Sequence, residues 1–434
     1  MNILTIPGGL CSTDHIRQFA RNAGKGPVAL MFHPSSQIVL SENAWRRMST
    51  VLADSGATMV YADFHTGDEP TPCIDCREGA LRDDFCFGPV AAVDADALRR
   101  AIDSSGTDYE HAGWYAVRLA LMRMSLPVHI PEYLSVYRPE AAAAEGERHF
   151  DYVDPRNRRV QIEMEHACTE HLKAIGAWLP PRTATVDFGG DFPVEMSVII
   201  PVRNRVATIA DAVKSALAQT PDFTFNVIVV DNHSTDGTTE VLQSISDKRL
   251  VHIVPESTDL GIGGCWNTAL HDSRCGRFAV QLDSDDLYSS ADTLTAIHRC
   301  FLSTGCAMAV GSYSLVDFDC RPIPPGVIDH REWTDANGHN NLLRVNGMGA
   351  PRAFATAVAR TMPMPDVSYG EDYAMALRMS RQYRIGRIFD VLYLCRRWGG
   401  NSDSSLTTEK ANRFNTYKDS LRTWEVAARQ QLNK

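Results

Sequence analysis

The sequence predicts an α/β fold built on a Rossmann-like parallel sheet whose polar loops converge on one crevice. Two strand–loop–helix units and one apolar run ending in acids predict it. Met196-Ser-Val-Ile-Ile200 has the pattern of a buried strand and stops at Pro201. Val202-Arg203-Asn204-Arg205 is then a polar turn, and Ile209, Val213, Ala216 and Leu217 recur at helical spacing. Asn226-Val-Ile-Val-Val230 repeats the strand, Asp231 to Gly237 the polar loop, and Thr238 opens a helix carrying Val241, Leu242 and Ile245. The third element, Gly276-Arg-Phe-Ala-Val-Gln-Leu-Asp-Ser-Asp-Asp286, runs from apolar residues into Asp283, Asp285 and Asp286. Acids are costly to bury unpaired, so a strand that ends in three of them aims them at a site that wants a cation. Hard ions such as Mg²⁺ and Mn²⁺ take one or two carboxylates together with substrate phosphates, which suggests a metal–diphosphate site. A solvated turn is the plainer alternative. Ligands of such sheets bind beyond the carboxyl ends of the strands, where Arg203, Asp231 and Asp283 all lie.

Residues from about 195 to 405 resemble a family 2 glycosyltransferase domain of the GT-A fold, that is, a Rossmann-like nucleotide-diphospho-sugar transferase. The matching motifs are Ser197-Val-Ile-Ile-Pro-Val-Arg-Asn204, Val230-Asp-Asn-His-Ser-Thr-Asp-Gly-Thr238, Gly261-Ile-Gly-Gly-Cys-Trp-Asn267, Gln281-Leu-Asp-Ser-Asp-Asp286 and Gly370-Glu-Asp-Tyr-Ala-Met-Ala-Leu-Arg378, in the family's order. The resemblance implies a nucleotide-sugar donor, a Mn²⁺ or Mg²⁺ ion, and transfer with inversion at the anomeric carbon. It implies that Asp285 holds the metal, with Asp283 at the metal or the ribose, and that Asp231 meets the base. Pro201, Arg203, Asn204, Asn232, Ser234 and Asn267 would line the donor pocket. Asp372 is the expected general base, with Glu371 sharing that role or binding the acceptor alongside Asp286 and Trp266. An acidic helix start that favours the macrodipole is the bland reading of Glu371-Asp372.

Two departures from the family pattern stand out. Where many members place a His after the last strand to complete the metal shell, the chain reads Cys395-Arg-Arg-Trp-Gly-Gly-Asn-Ser402. Where the family often has Arg before the Asn of the glycine-rich loop, Trp266 stands, suited to stacking on a sugar or to the core.

The first 140 residues carry an internal repeat. Gly26 to Ser36 lies over Gly276 to Asp286 at an offset of 250 (283 minus 33), and Ser55-Gly-Ala-Thr-Met59 lies over Thr304-Gly-Cys-Ala-Met308 at 249. Tyr109 and Arg118 lie over Tyr369 and Arg378 at 260. His33, Ser35 and Ala112 take the places of Asp283, Asp285 and Asp372, and the copy begins opposite Val251, so the two nucleotide-binding units have no counterpart. Residues 1–140 are therefore expected to be a degenerate, non-catalytic GT-A-like domain, either a packing or dimerisation module or an acceptor-side platform. A helical linker is expected over 141–195, and the catalytic GT-A domain over 196–434. Pro139 to Gly146 reads as a connector and Val160 to Leu179 as a helix before Pro180-Pro181. Glu163, Glu165, His166 and His171 on that helix read as a solvated face, since the two His are five apart. Cys73-Ile-Asp-Cys76 lacks a second pair at zinc-ribbon spacing, and the eleven cysteines suit reduced thiols in a cytoplasmic protein.

Composition bounds the rest. At 434 residues the chain suits two or three domains, and 44% hydrophobic content is ample for their cores. No apolar run approaches the roughly 18 residues of a membrane span, and Met1 to Cys11 lacks a signal-peptide pattern. A net charge of −10 argues against nucleic acid as partner, while Arg203, Arg205, Arg396 and Arg397 could form a local basic patch at the donor diphosphate. The expected partners are a nucleotide-sugar donor, by resemblance to chondroitin- and hyaluronan-type polymerases a UDP-sugar, and a saccharide or lipid-linked acceptor in surface polysaccharide or glycoconjugate synthesis. Peripheral contact with the inner membrane face and homo-oligomerisation are left open. Two other classes compete: a non-catalytic binding or scaffolding protein, and a sugar nucleotidylyltransferase. The latter wants a basic pair after an N-terminal Gly-rich loop, and Met1-Asn-Ile-Leu-Thr-Ile-Pro-Gly-Gly9 offers none.

Overall fold

The computed structural model describes residues 2–140, 158–182, 184–401 and 406–434. The expected connector falls, beyond Glu140, outside the described residues, as does Ser402. Contacts divide the chain into two units. The first comprises Met1–Leu179, Leu343–Asn346 and Leu406–Lys434, and the second Pro180–Leu342 and Gly347–Ser405.

In the first unit, strands β1 (Asn2–Thr5), β2 (Pro27–Met31), β3 (Ile38–Leu40), β4 (Met59–Thr66), β5 (Glu69–Thr71), β6 (Val90–Asp94) and β7 (Val128–Tyr137) form one sheet in the order β1-β2-β6-β4-β7-β3, with β5 on β4. Helices α1 (Thr13–Asn22), α2 (Glu42–Ser55), α3 (Ala95–Asp103), α4 (Gly113–Met124) and α5 (Arg158–Ala174) accompany it. Local chemistry sets their starts: Ser12, Ser41 and Asp94 each accept an amide of the following first turn. Buried Met48, Leu52, Val60, Ala92 and Ile130 pack α2 onto the sheet.

The helix α5 is not a solvated element. Met164, Ala167, Cys168, His171 and Leu172 form a buried stripe, and Glu163 Oε2 accepts the amides of His111 and Ala112 at 2.7 and 3.0 Å. Burial, with Arg123 and Arg118 nearby, pushes His171 down to about 3. The C-terminal helix Thr408–Leu432, which the sequence reading places in the catalytic part, packs in the first unit instead. Its Asp419 lies between the buried guanidiniums of Arg422 (2.8 Å) and Arg82 (3.4 Å), and Arg344 pairs with Asp83 and with Gln161. Fully buried charges of this kind hold only with such partners.

In the second unit, β8 (Met196–Val202), α6 (Ile209–Leu217), β9 (Phe225–Asp231), α7 (Thr238–Ser244), β10 (Leu250–Ile253), α8 (Ile262–His271) and β11 (Phe278–Gln281) come first. There follow β12 (Leu287–Tyr288), α9 (Thr293–Thr304), β13 (Met308–Val316), β14 (Pro322–Ile328), α10 (Gly338–Asn341), β15 (Arg352–Ala355), α11 (Thr356–Arg360), α12 (Glu371–Ser380) and β16 (Ile385–Arg396). The sheet runs β10-β9-β8-β11-β15-β13-β16-β12, with β14 on β13. The first four strands are parallel, so β8, β9 and β11 end on the same edge, and β15 runs antiparallel between β11 and β13. This is the α/β architecture expected from the resemblance.

The two sheets share a pairing scheme. Taken in order, β1-β2-β6-β4-β7-β3 has the same parallel and antiparallel neighbours as β8-β11-β15-β13-β16-β12, and β5 sits on β4 as β14 does on β13. In sheet position β1 takes the slot of β8, not that of β10, which the sequence offset suggests. Only β9 and β10 lack counterparts.

Candidate active site

The crevice loops begin at the ends of β8 and β9 and are tied to each other. Asn204 and His233 take left-handed backbone angles, φ 54° and 55°. The Asn204 amide donates to Ser234 Oγ at 3.0 Å, and Asn204 Oδ1 accepts the Thr235 amide at 2.8 Å. Asp231 is buried and spends its carboxylate on the Ser234 amide (3.0 Å) and the Thr239 hydroxyl (2.6 Å). Burial favours its neutral form, yet the bonds from Thr239, Ser234 and His252 outweigh that and hold it below the usual carboxylate range. Its carboxylate therefore braces the loop that follows β9. Asn232 donates to the Leu260 carbonyl at 2.6 Å, while its buried Oδ1 has no partner among the described residues. Pro201 is half-buried and Arg203 exposed on the same edge.

The acidic motif follows β11. Gln281 Nε2 donates to Asp283 Oδ1 at 2.9 Å, and the Asp283 amide donates to the hydroxyl of Tyr393 on β16. Burial, with the Asp285 charge adding, pushes Asp283 upward against the pull of Arg352 and Gln281. Asp285 Oδ2 accepts Asn401 Nδ2 at 3.1 Å and Trp398 Nε1 at 3.3 Å, with Arg205 Nε 3.9 Å away. Its Oδ1 has no partner among the described residues. Thus Trp398 and Asn401 stand where a His was missed in the sequence, as donors that orient the carboxylate. Asp283 and Asp285 are hard oxygen donors on alternate residues, and so fit a divalent ion.

Three expected site residues are used elsewhere. Asp286 is 4% exposed and accepts the Arg396 amide at 2.7 Å, which makes it a tether for the loop after β16 rather than an acceptor contact. Burial, together with the charges of Asp283 and Asp285, drives it well above the usual carboxylate range. Trp266 is 5% exposed, edge-on to Phe354 at 5.6 Å, and belongs to the core. Asn267 joins α8 to Met364 by both its amide groups, at 2.8 and 3.0 Å.

That junction positions the late carboxylate pair. A Cβ on Gly263 would lie 1.9 Å from the Pro365 carbonyl oxygen, and one on Gly261 would lie 2.5 Å from the Val367 carbonyl carbon. The glycines therefore let the segment before α12 lie against α8. At the start of α12, Glu371 is buried, and its Oε2 has no partner among the described residues. Burial and then the Asp372 charge push Glu371 up to about 8. Asp372 Oδ2 meets Arg352 Nη1 at 2.6 Å. Sequence reasoning missed Arg352. Burial works against its charge, and the carboxylates of Asp372, Asp283 and Glu371 more than offset that. Asp283 and Asp372, nearly ninety positions apart in the chain (372 minus 283), are thus linked through Gln281 and Arg352. A trio in the first unit, Glu110, His111 and Glu163, brings its ligand atoms within 4.8 Å, but Glu163 is already engaged by two amides.

Residues 197–343 match the family model described as Glycosyl transferase family 2. The chain is 35% identical over 130 residues to the putative teichuronic acid biosynthesis glycosyltransferase TuaG of Bacillus subtilis, covering 30% of this chain and 50% of that protein. It is 34% identical over 103 residues to the Escherichia coli UDP-Glc:alpha-D-GlcNAc-diphosphoundecaprenol beta-1,3-glucosyltransferase WfaP, covering 24% of this chain and 40% of that one. Among solved structures, S. aureus TarS 1-349 in complex with UDP-GlcNAc is similar, at 20% identity and a TM-score of 0.42, over 52% of this chain and 66% of that one. The chain spans half or less of the length of these curated relatives.

Proposed function

Residues 197–343 are a family 2 glycosyltransferase domain, and from that premise we propose that the protein transfers a sugar, with inversion, from a UDP-sugar to a hydroxyl of a saccharide or lipid-linked acceptor in surface polysaccharide or glycoconjugate synthesis. The observation that carries this reading is Arg352, whose guanidinium pairs with Asp372 of α12 and whose amide is tied through the Gln281 side chain to Asp283 of the acidic motif. Asp285 and Asp283 would hold Mn²⁺ or Mg²⁺, which when bound offsets the charge developing on the leaving diphosphate. The loops of Asn204, Asn232 and Ser234, shaped by Asp231, would seat the nucleoside with Pro201 and Arg203. Asp372 takes the proton of the attacking acceptor hydroxyl. Glu371, its carboxyl pushed up to about 8 and one oxygen without a partner among the described residues, hydrogen-bonds the acceptor. WfaP's name specifies an undecaprenol-linked acceptor, and such an acceptor would bring this protein to a membrane face. No described helix is long and apolar enough to cross one. Calorimetric titration of UDP with and without Mn²⁺ tests the donor site: Asp285→Ala should abolish the metal-dependent part of binding. Unchanged metal-dependent affinity in that variant removes Asp285 from the site.

A further inference from the structure

We propose that Arg352 is the positioning residue for the reaction, holding the Asp372 carboxylate aimed and registering it against the metal-binding strand; this rests on the reading of Asp372 as base. Arg352 opens β15, the antiparallel strand between β11 and β13. Its amide donates to Gln281 Oε1 at 3.2 Å, and the same Gln281 side chain donates to Asp283 Oδ1 at 2.9 Å. Its guanidinium Nη1 donates to the Gly349 carbonyl at 3.2 Å and meets Asp372 Oδ2 at 2.6 Å. The other Asp372 oxygen accepts the Tyr373 amide at 2.7 Å, and Tyr373 anchors α12 through its hydroxyl to the Leu342 carbonyl at 2.6 Å. Both oxygens of the base are therefore fixed, one by the helix and one by the strand.

This arrangement sets distance as well as charge. Gln281 locks the arginine's backbone to the acidic motif, so the separation between the donor-side carboxylate and the base is set by one side chain instead of by the loops between them. Misplacing a reacting group by about 1 Å costs on the order of 10²-fold in rate.

The test uses the full chain and UDP release from UDP-GlcNAc or UDP-glucose with Mn²⁺, comparing wild type, R352Q, R352K, D372N and the R352Q/D372N pair. R352Q is expected to lower kcat by ~10²-fold with donor KM within about twofold. R352K, which keeps the charge, should recover part of the loss. On the D372N background R352Q should have no further effect, because it acts through that carboxylate. Unchanged kcat in R352Q, a loss confined to KM, or losses that multiply in the double variant each overturn the proposal. Undiminished kcat in D372N instead overturns the base assignment itself. Should R352Q fail to fold, a KM-only effect or full wild-type kcat in R352K decides against the proposal.

Discussion

Replacing Glu371 by Gln removes a charge that the fold resists forming. The wild-type carboxyl rises from its ordinary 4.5 to about 8, first because it is buried and then because Asp372 adjoins it. The sign follows from proton counting. Below pH 4.5 the side chain is protonated in folded and unfolded states alike and contributes no pH dependence. Between 4.5 and about 8 the unfolded chain releases the proton while the folded one keeps it, so folding stability falls as pH rises. Above about 8 both are ionised and the penalty is complete. At about 1.4 kcal/mol for each tenfold change in proton affinity, the ceiling is about 5 kcal/mol, and local relaxation will lower it. Glu371→Gln is nearly isosteric and carries no such slope. Urea denaturation at pH 5, 7 and 9 should show the two proteins converging at pH 5 and the variant gaining an increasing advantage at pH 7 and 9. Parallel pH profiles, or an advantage below about 1 kcal/mol at pH 9, would refute the argument that Glu371 is buried as a neutral acid.

Two further substitutions probe packing in each unit. Gly263→Ala would drive a methyl group into the Pro365 carbonyl, so it should cost about 1–3 kcal/mol or more and lower the thermal midpoint; an unchanged midpoint removes the close-approach role of the glycine. Asp419→Ala leaves the buried Arg82 and Arg422 guanidiniums without their shared carboxylate, so about 3–5 kcal/mol should be lost in chemical denaturation, and a loss under about 1 kcal/mol would show that the network is dispensable.

Most of what could be read in the sequence was local. The strands at 196, 226 and 278 and the helices at 209 and 238 declare themselves because apolar runs and helical spacing are properties of neighbours in the chain. The acidic cluster at the end of β11 was legible for the same reason, but three acids within four positions do not reveal that Asp286 is the one turned inward to the Arg396 amide. Arg352 and Tyr393 were invisible because β15 and β16 come to the acidic motif only through tertiary structure, and nothing near either of them in sequence marks it as a partner of an acid. Helix α5 is a different case. Its buried residues at 164, 167, 168, 171 and 172 follow core spacing, a signal that attention to the charged positions concealed.

The first unit is discontinuous: its sheet is finished by residue 137, but Arg344, the partner of Asp83, and Asp419, the partner of Arg82, come only in the later segments 343–346 and 406–434. A ribosome makes the chain in order, at about 5–20 residues per second. The N-terminal sheet must therefore wait on the order of tens of seconds, through synthesis of the whole second unit, before Asp419 can reach Arg82. During that interval Arg82 has only Asp84 to pair with, and Asp83 lacks Arg344 until the second unit is nearly made. A stop anywhere before the last helix leaves the earliest-made part of the protein unfinished.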